Sequence, residues 1–415
     1  MWLTILAFLT LVGLGFYPNF LPLNSMFIEI AAFMFLGTSL ILVLTFFLNI
    51  QVLQPLVRLE QKSIPNLMSL LHDNFWLHTY RNILLVIVFV AYFLSLAFLS
   101  NEPHRLWIFG LWWVLFGLGL DLLKMNWVGL VNLLTPSHLV KEFEIAAKHA
   151  IQDGQDNKLW QTLDSLSEMA LSGVHDNKIS LSTQAINAFP PIMHTFYNSS
   201  KSISRLTQDQ EVEIQTGQDE ASYTLFYLLQ RLELINDRAL KNRLESVCRH
   251  MVMALGRIIL YGAKLDLSLL TFPMHFLVKF GLKAQQHHFN EVSELTVSTI
   301  LEIAKAVINE VELKYAELVE PFQAMIKGLE TLAKGEFKQN KFTHIKPLIQ
   351  PLLDFKALLD NPKIIEHRDA PAIRIDIDRT LAEFEVLEQV MQTLPTISET
   401  TSYEEIKEAF PNPSS

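Results

Sequence analysis

The sequence predicts an all-α chain in two parts: a four-span transmembrane helical region followed by a soluble helical body. Three observations carry that expectation. Residues 1–134 hold four apolar runs, at about 2–17, 26–49, 83–100 and 106–123, that are nearly free of charge. After Thr135, apolar residues recur at helical spacing with polar ones between them. No two segments alternate in a way that would pair as strands.

A helix rises about 1.5 Å per residue and a hydrocarbon core is about 30 Å thick, so a span takes about 20 apolar residues. The run 26–49 exceeds that length and contains one ionisable residue, Glu29. The runs 83–100 and 106–123 are slightly short, and flanking residues extend both; the second contains Asp121. The run 2–17 is the weakest, because Pro18 and Pro22 close it early. No Lys or Arg precedes it and it ends in Phe16-Tyr17-Pro18-Asn19 rather than small residues, so it is expected to be retained, not cleaved as a signal peptide.

Orientation follows from the Lys/Arg balance of the short loops. With an even number of spans, one side of the membrane has Arg58, Lys62, Arg81, Lys124, Lys141 and Lys148, and the other only Arg105. Both termini are therefore expected in the cytoplasm, with the protein integral to the cell or inner membrane. Tyr17, Trp107 and Trp127 stand near span ends, where amphipathic rings favour the interface. The segment 51–82 is expected to carry a short amphipathic helix from Ser63-Ile64-Pro65 through Leu67, Leu70, Leu71 and Phe75 or Trp76, lying on the inner membrane surface or packed on the soluble body.

Residues 1–134 contain five basic residues (Arg58, Lys62, Arg81, Arg105, Lys124) and five acidic ones (Glu29, Glu60, Asp73, Glu102, Asp121), so the net charge of −10 belongs to residues 135–415. Such a body is a poor nucleic-acid binder, since phosphate contacts need a basic surface, and it is expected to stand off anionic headgroups. A single cysteine, Cys248, excludes an intramolecular disulfide framework.

The body, 135–410, opens with Thr135-Pro136, a cap followed by proline at the first helical position. Leu159, Leu163, Leu166 and Ala170 share one face, bounded by Asp156 and Gly173; Asp176 is expected to cap the next helix, which Pro190-Pro191 bends or restarts. Leu225, Leu228, Leu229, Leu232 and Ile235 follow the helical rule, as do Val297, Ile300, Leu301, Ala304, Val307 and Ile308, and then Leu318, Phe322, Met325, Leu329 and Leu332. Asp153-Gly154, Gly335 and Asn361-Pro362 are the expected breakers, and the polar stretch 207–219 is the expected internal linker. The stretch Ile373-Arg374-Ile375-Asp376-Ile377-Asp378 alternates, but Ile373, Ile377, Leu381, Phe384, Leu387 and Met391 also fit one helical face, and it is assigned to helix. Residues 411–415 form a frayed tail. Helix starts near 135, 176, 220, 266 and 314 suggest a helical-hairpin solenoid, with an irregular bundle as the equal alternative, since no signature longer than Asp-Asn-Lys repeats.

Catalytic patterns fail one by one. The loop from Asp153 has Lys158 and Asp164 where a calcium loop needs Gly and Glu. No phosphate-cradling glycine motif exists. Cys248 and His250 are two residues apart on a helix and point away from each other, and His287-His288 lack the spacing for zinc. Asp376 and Asp378 would share a face only in a strand. No catalytic residue, cofactor or metal is assigned. Within the apolar region the ionisable residues Glu29 and Asp121 are the functional candidates, expected at opposite membrane depths, with Lys124 as a local partner for Asp121. The sequence thus suggests a multi-pass membrane protein, not an enzyme, whose helical body engages a protein partner. The alternative is an oligomeric channel or transport component gated by that body, with Gly37-Thr38-Ser39 or Gly110, Gly117 and Gly119 at helix contacts between copies.

Overall fold

A computed structural model describes residues 29–45, 47, 65, 75–100, 104–206, 211–339 and 345–393. The described residues are helical and contain no strand. Packing divides the chain into two compact units, Met1–Ile203 and Ser204–Ser415. That division falls later than the change in composition at 134, because the apolar helices share a unit with the first helices of the polar region.

The first unit contains α1 (Glu29–Thr45), α2 (Phe75–Ser100), α3 (Arg105–Leu134), α4 (Pro136–Gln152), α5 (Asp156–His175) and α6 (Ile179–Leu206). Two of them are long and apolar enough to cross a membrane, over Asn82–Leu99 and Trp107–Gly129, and Glu29–Thr45 is a shorter apolar helix. The run 2–17 lies outside the described residues, as does most of 51–82. Pro65, which is described, accepts a hydrogen bond from Ser165 of α5 (2.6 Å).

Ala31 and Met34, near the start of α1, pack with Phe98 near the end of α2 and Trp112 near the start of α3. Ile41, toward the end of α1, packs with Leu84 and Val88 near the start of α2 and with Leu123. α1 therefore runs against α2 and alongside α3. Arg105 closes the α2–α3 connection by donating to the Phe98 carbonyl (3.2 Å), one of the acceptors a helix end leaves free.

The second unit contains α7 (Glu211–Lys241), α8 (Glu245–Leu265), α9 (Ser268–Gln286), α10 (Asn290–Glu310), α11 (Val319–Gln339), α12 (Ile345–Leu358), the single turn α13 (Pro362–Ile365) and α14 (Ala370–Thr393). Each helix from α7 to α10 packs on the next and on the next but one. That alternation is the contact pattern of stacked helical hairpins in two layers, in which no hairpin buries its apolar face without a neighbour. The stripes read from sequence line this core. Leu228, Leu232, Ile300, Val307, Phe322, Met325, Ile373 and Ile377 are all buried, and Phe322 meets Phe355 edge-on at 5.9 Å.

Four turns are built alike. At 153–155, 176–178, 242–244 and 287–289, three residues join consecutive helices, and Gly154, Asn177, Arg243 and His288 take φ of 64, 59, 56 and 61°. In each, the residue after the left-handed one donates back to a buried small residue five positions earlier: Gln155 to Ala150 (2.8 Å), Lys178 to Gly173 (2.7 Å), Leu244 to Ala239 (2.9 Å) and Phe289 to Ala284 (2.9 Å). This is the Schellman closure, which satisfies the last carbonyls of the helix. In contrast, the connector 311–318 is long. Leu313 and Leu318 are buried in it, and Tyr315 is 81% exposed.

Several boundaries differ from the sequence expectation. Residues 211–219 open α7 and are not a linker, because glutamate and glutamine are good helix formers and polarity alone does not break a helix; residues 207–210 lie outside the described residues. Gly173 and Gly335 are inside α5 and α11 and do not end them. A Cβ on Gly173 would stand 2.4 Å from Ser182 Oγ, and one on Gly335 would stand 2.5 Å from Gln285 Oε1, so close approach requires glycine at both. Asp176 ends α5 rather than starting α6, and pairs with Lys178 (3.0 Å). Pro190 and Pro191 lie within the continuous α6. Asn361-Pro362 does punctuate, with Asn361 Oδ1 accepting from the Lys363 amide (3.1 Å).

Candidate functional site

The α1–α3 trio is the part of the molecule whose surface chemistry is unusual. Its outward residues are Phe33, Leu36, Leu40 and Val43 on α1, Val86, Phe89, Phe93 and Leu96 on α2, and Trp107 and Leu111 on α3, all exposed. Its buried residues include Thr38, Thr45, Ser95, Asp121 and Asn126. The rest of the interior is apolar, with Met34, Ile41, Leu84, Val88 and Trp112 buried, so apolar side chains cover the outside as well as the inside, which the hydrophobic effect in water disfavours.

The interior polar groups tie the trio together. Trp112 Nε1 donates to Thr38 Oγ1 (2.9 Å), which in turn donates to the Met34 carbonyl (2.8 Å). Ser39 Oγ and the Tyr92 hydroxyl share a hydrogen bond of 2.6 Å. α1 thus holds each neighbour by one side-chain hydrogen bond. Gly37 permits this, since a Cβ there would sit 3.1 Å from the Trp112 and Phe116 rings, and one on Gly119 would sit 3.1 Å from Ile41. These glycines serve contacts inside one copy.

The two ionisable candidates are not brought together. Glu29 is exposed at the first residue of α1, whereas Asp121 is 6% exposed on α3, close to Gly119 and the Ile41 end of α1. Twelve helical residues, about 18 Å, separate those ends of α1. Lys124 is exposed on the turn after Asp121.

In the second unit, the residues examined for catalysis diverge. Cys248 is buried, and burial, with Glu245 nearby, pushes its thiol up to about 12, so no reactive thiolate forms there. His250 Nδ1 is bonded to the Ser246 carbonyl (2.8 Å), not to the thiol. His287 and His288 occupy the α9–α10 turn, both exposed. Asp376 pairs with Gln323 and Arg379 while Asp378 reaches Lys356 (2.7 Å), so these carboxylates serve different neighbours. No group of three His, Cys, Asp or Glu among the described residues has metal-binding geometry.

A cleft of about 400 Å³ opens between the α8–α9 turn and the 311–318 connector, lined by Lys264, Asp266, Glu312, Glu317 and Glu320. Asp266 Oδ1 accepts from the Ser268 amide (2.9 Å), and Lys264 pairs with Glu310 (2.6 Å). Asp266 and Glu320 stand at the starts of α9 and α11, where negative charge complements the helix dipole. Ser268 also lines the cleft, whose lining contains no histidine or cysteine.

The Thr38–Trp112 and Ser39–Tyr92 pairs were not singled out from the sequence. Their signal is a hydroxyl one helical turn inside an apolar run, which marks a helix–helix contact without naming the partner. No protein-family model, curated protein or solved structure matches the chain.

Proposed function

We propose that the chain is a multi-pass integral membrane protein, with four spans when the 2–17 run is included, that holds an acidic all-helical body in the cytoplasm for protein–protein interaction. The observation that carries this reading is the apolar exterior of the α1–α3 trio: exposed aliphatic and aromatic residues surround an interior where hydroxyl, amide and carboxyl groups are buried among apolar side chains. Lipid is the solvent in which that arrangement is favourable. The spacing of Trp107 and Trp127, both exposed on α3, supports it, because the 20 residues between them span about 30 Å, the thickness of a hydrocarbon core. Arg105 fits the orientation argued from charge: the single basic residue on the far side spends its guanidinium on helix-end carbonyls.

The interaction role rests on the body itself, a stack of helical hairpins in which the described catalytic candidates are separated or buried. Stacked hairpins present long continuous surfaces to partners. The channel reading needs small residues between copies, and Gly37 and Gly119 are already engaged within one copy. Alkaline carbonate washing of membranes tests the anchor: the chain stays in the pellet, and release into the supernatant refutes the reading. Cross-linking of the full chain in its native membrane, followed by mass spectrometry, tests the second half. Recurrent cross-links from the body to a defined protein support it, and cross-links confined to the chain itself count against it.

A further inference from the structure

The net charge of the body conceals an uneven distribution. In the second unit α7, α9 and α11 end at one edge of the stack, and α8 and α10 begin there. Contacts fix this: Lys283 near the end of α9 binds Asp237 near the end of α7 (2.6 Å), Arg249 of α8 binds Glu291 of α10 (2.8 Å), and Gln285 of α9 donates to the Leu332 carbonyl of α11 (3.0 Å). The turns of that edge carry Arg238, Lys241, Arg243, His287, His288 and Lys338, all exposed. None of these Arg or Lys side chains is in an ion pair with another described residue. Of the carboxylates nearby, Asp237 and Glu291 are neutralised by Lys283 and Arg249, leaving Glu245, half-buried, Glu294 and Glu336. The opposite edge carries Asp266, Glu312, Glu317 and Glu320.

A second observation concerns conformation. Arg238 and Lys241 complement the end of α7, as basic residues at helix ends commonly do. Arg243 and His288, just past the ends of α7 and α9, share that reason but carry a conformational cost besides. Both occupy left-handed positions, which favour glycine or asparagine and hold Gly154 and Asn177 in the two equivalent turns of the first unit. Among the described residues, these are the basic side chains that stand at left-handed positions.

We propose that this edge docks on anionic lipid headgroups of the membrane that anchors the chain, an inference that rests on the membrane reading above. The overall acidity predicted a body that stands off the surface, but at physiological salt charge acts over only about 8 Å, so the sign of the nearest edge decides. Each basic residue near an anionic leaflet adds to the attraction, and the anchor supplies a high effective concentration.

The test uses the full chain in nanodiscs of phosphatidylcholine with or without phosphatidylserine. Cys248 is buried and unreactive, so a fluorophore placed through Gln286→Cys labels this edge alone, and one placed through Tyr315→Cys labels the other. Quenching by headgroup-spin-labelled lipid is read at each site. At 286 it is expected to rise about three-fold or more with phosphatidylserine and to fall back in high salt. The rise is also lost on reversing Arg238, Lys241 and Arg243 together to Glu, with helical content checked by circular dichroism. Quenching at 315 stays low throughout. Equal quenching at 286 in both lipids, or a rise insensitive to salt, overturns the proposal while leaving the anchor intact. A chain that does not enter nanodiscs at all overturns the membrane reading first.

Discussion

Phe89 in the apolar trio and Ile375 in the hairpin stack are exposed almost equally, at 65% and 66%, yet their surroundings differ completely. Phe89 stands among Val86, Val90 and Phe93, all exposed and apolar, while Ile375 stands between Arg374 and Asp376. Both regions are packed helices. What separates them is whether the outward face carries polar groups, which on the proposed reading reflects the solvent each face meets. Fractional exposure alone does not distinguish a membrane face from an ordinary surface; the company of a residue does.

The largest effect is expected where the stack behaves as a water-built core. Phe322→Ala removes a ring fully enclosed by the stack and costs about 3–5 kcal/mol, visible as a lowered denaturation midpoint of the purified chain. A matched pair then divides the two regions directly. Phe89→Arg places a charge mid-span, at a cost of about 2.5–3.5 kcal/mol to insertion, and depletes the chain from the membrane fraction. Ile375→Arg, equally exposed, changes stability by no more than about 0.5 kcal/mol. Similar outcomes for both would erase the distinction.

Inside the trio, Thr38→Val leaves Trp112 Nε1 without its acceptor and is expected to cost about 1 kcal/mol, read by thermal denaturation in detergent. The turns run the other way. His288→Gly relieves a left-handed non-glycine and stabilises the stack by about 1 kcal/mol. The smallest effect is electrostatic. Burial raises the Glu336 carboxyl, and Glu294 adds to it, so its folded value lies above its unfolded one. Such a group favours the protonated folded state, and its stabilising contribution is lost as pH rises through that range. Glu336→Gln therefore raises the melting temperature slightly at neutral pH and leaves it unchanged below about pH 4.

Helix type and core faces were legible in the sequence, because one periodicity reports both. Leu225, Leu228, Leu229, Leu232 and Ile235, and Ile373, Ile377, Leu381 and Phe384, are buried as their spacing requires. The hairpin repeat was legible only as a spacing of helix starts, and its turn signature was missed, although it is written there. Its signature is a small residue, two variable ones, then Asp, Asn or His before the left-handed position: Ala150 to Gly154, Gly173 to Asn177, Ala239 to Arg243 and Ala284 to His288. Arg and His at the last place obscure it, since glycine is what a reader of sequence looks for. Gly173 and Gly335 misled for the converse reason: glycine inside a helix marks a close neighbour, which only tertiary structure reveals. The polar pairs of the trio stayed hidden because a hydroxyl in an apolar run does not say which helix it will meet.

The contrast between connectors has a practical side. Four turns are sealed by backbone bonds on both flanks, so added residues there would unseat the helices they join. The connector at 311–318 exposes Tyr315 to solvent while Leu313 and Leu318 fasten its two ends. An epitope or affinity peptide spliced beside Tyr315 is the insertion this architecture accommodates, and it offers a handle for capturing the protein with its partners still attached.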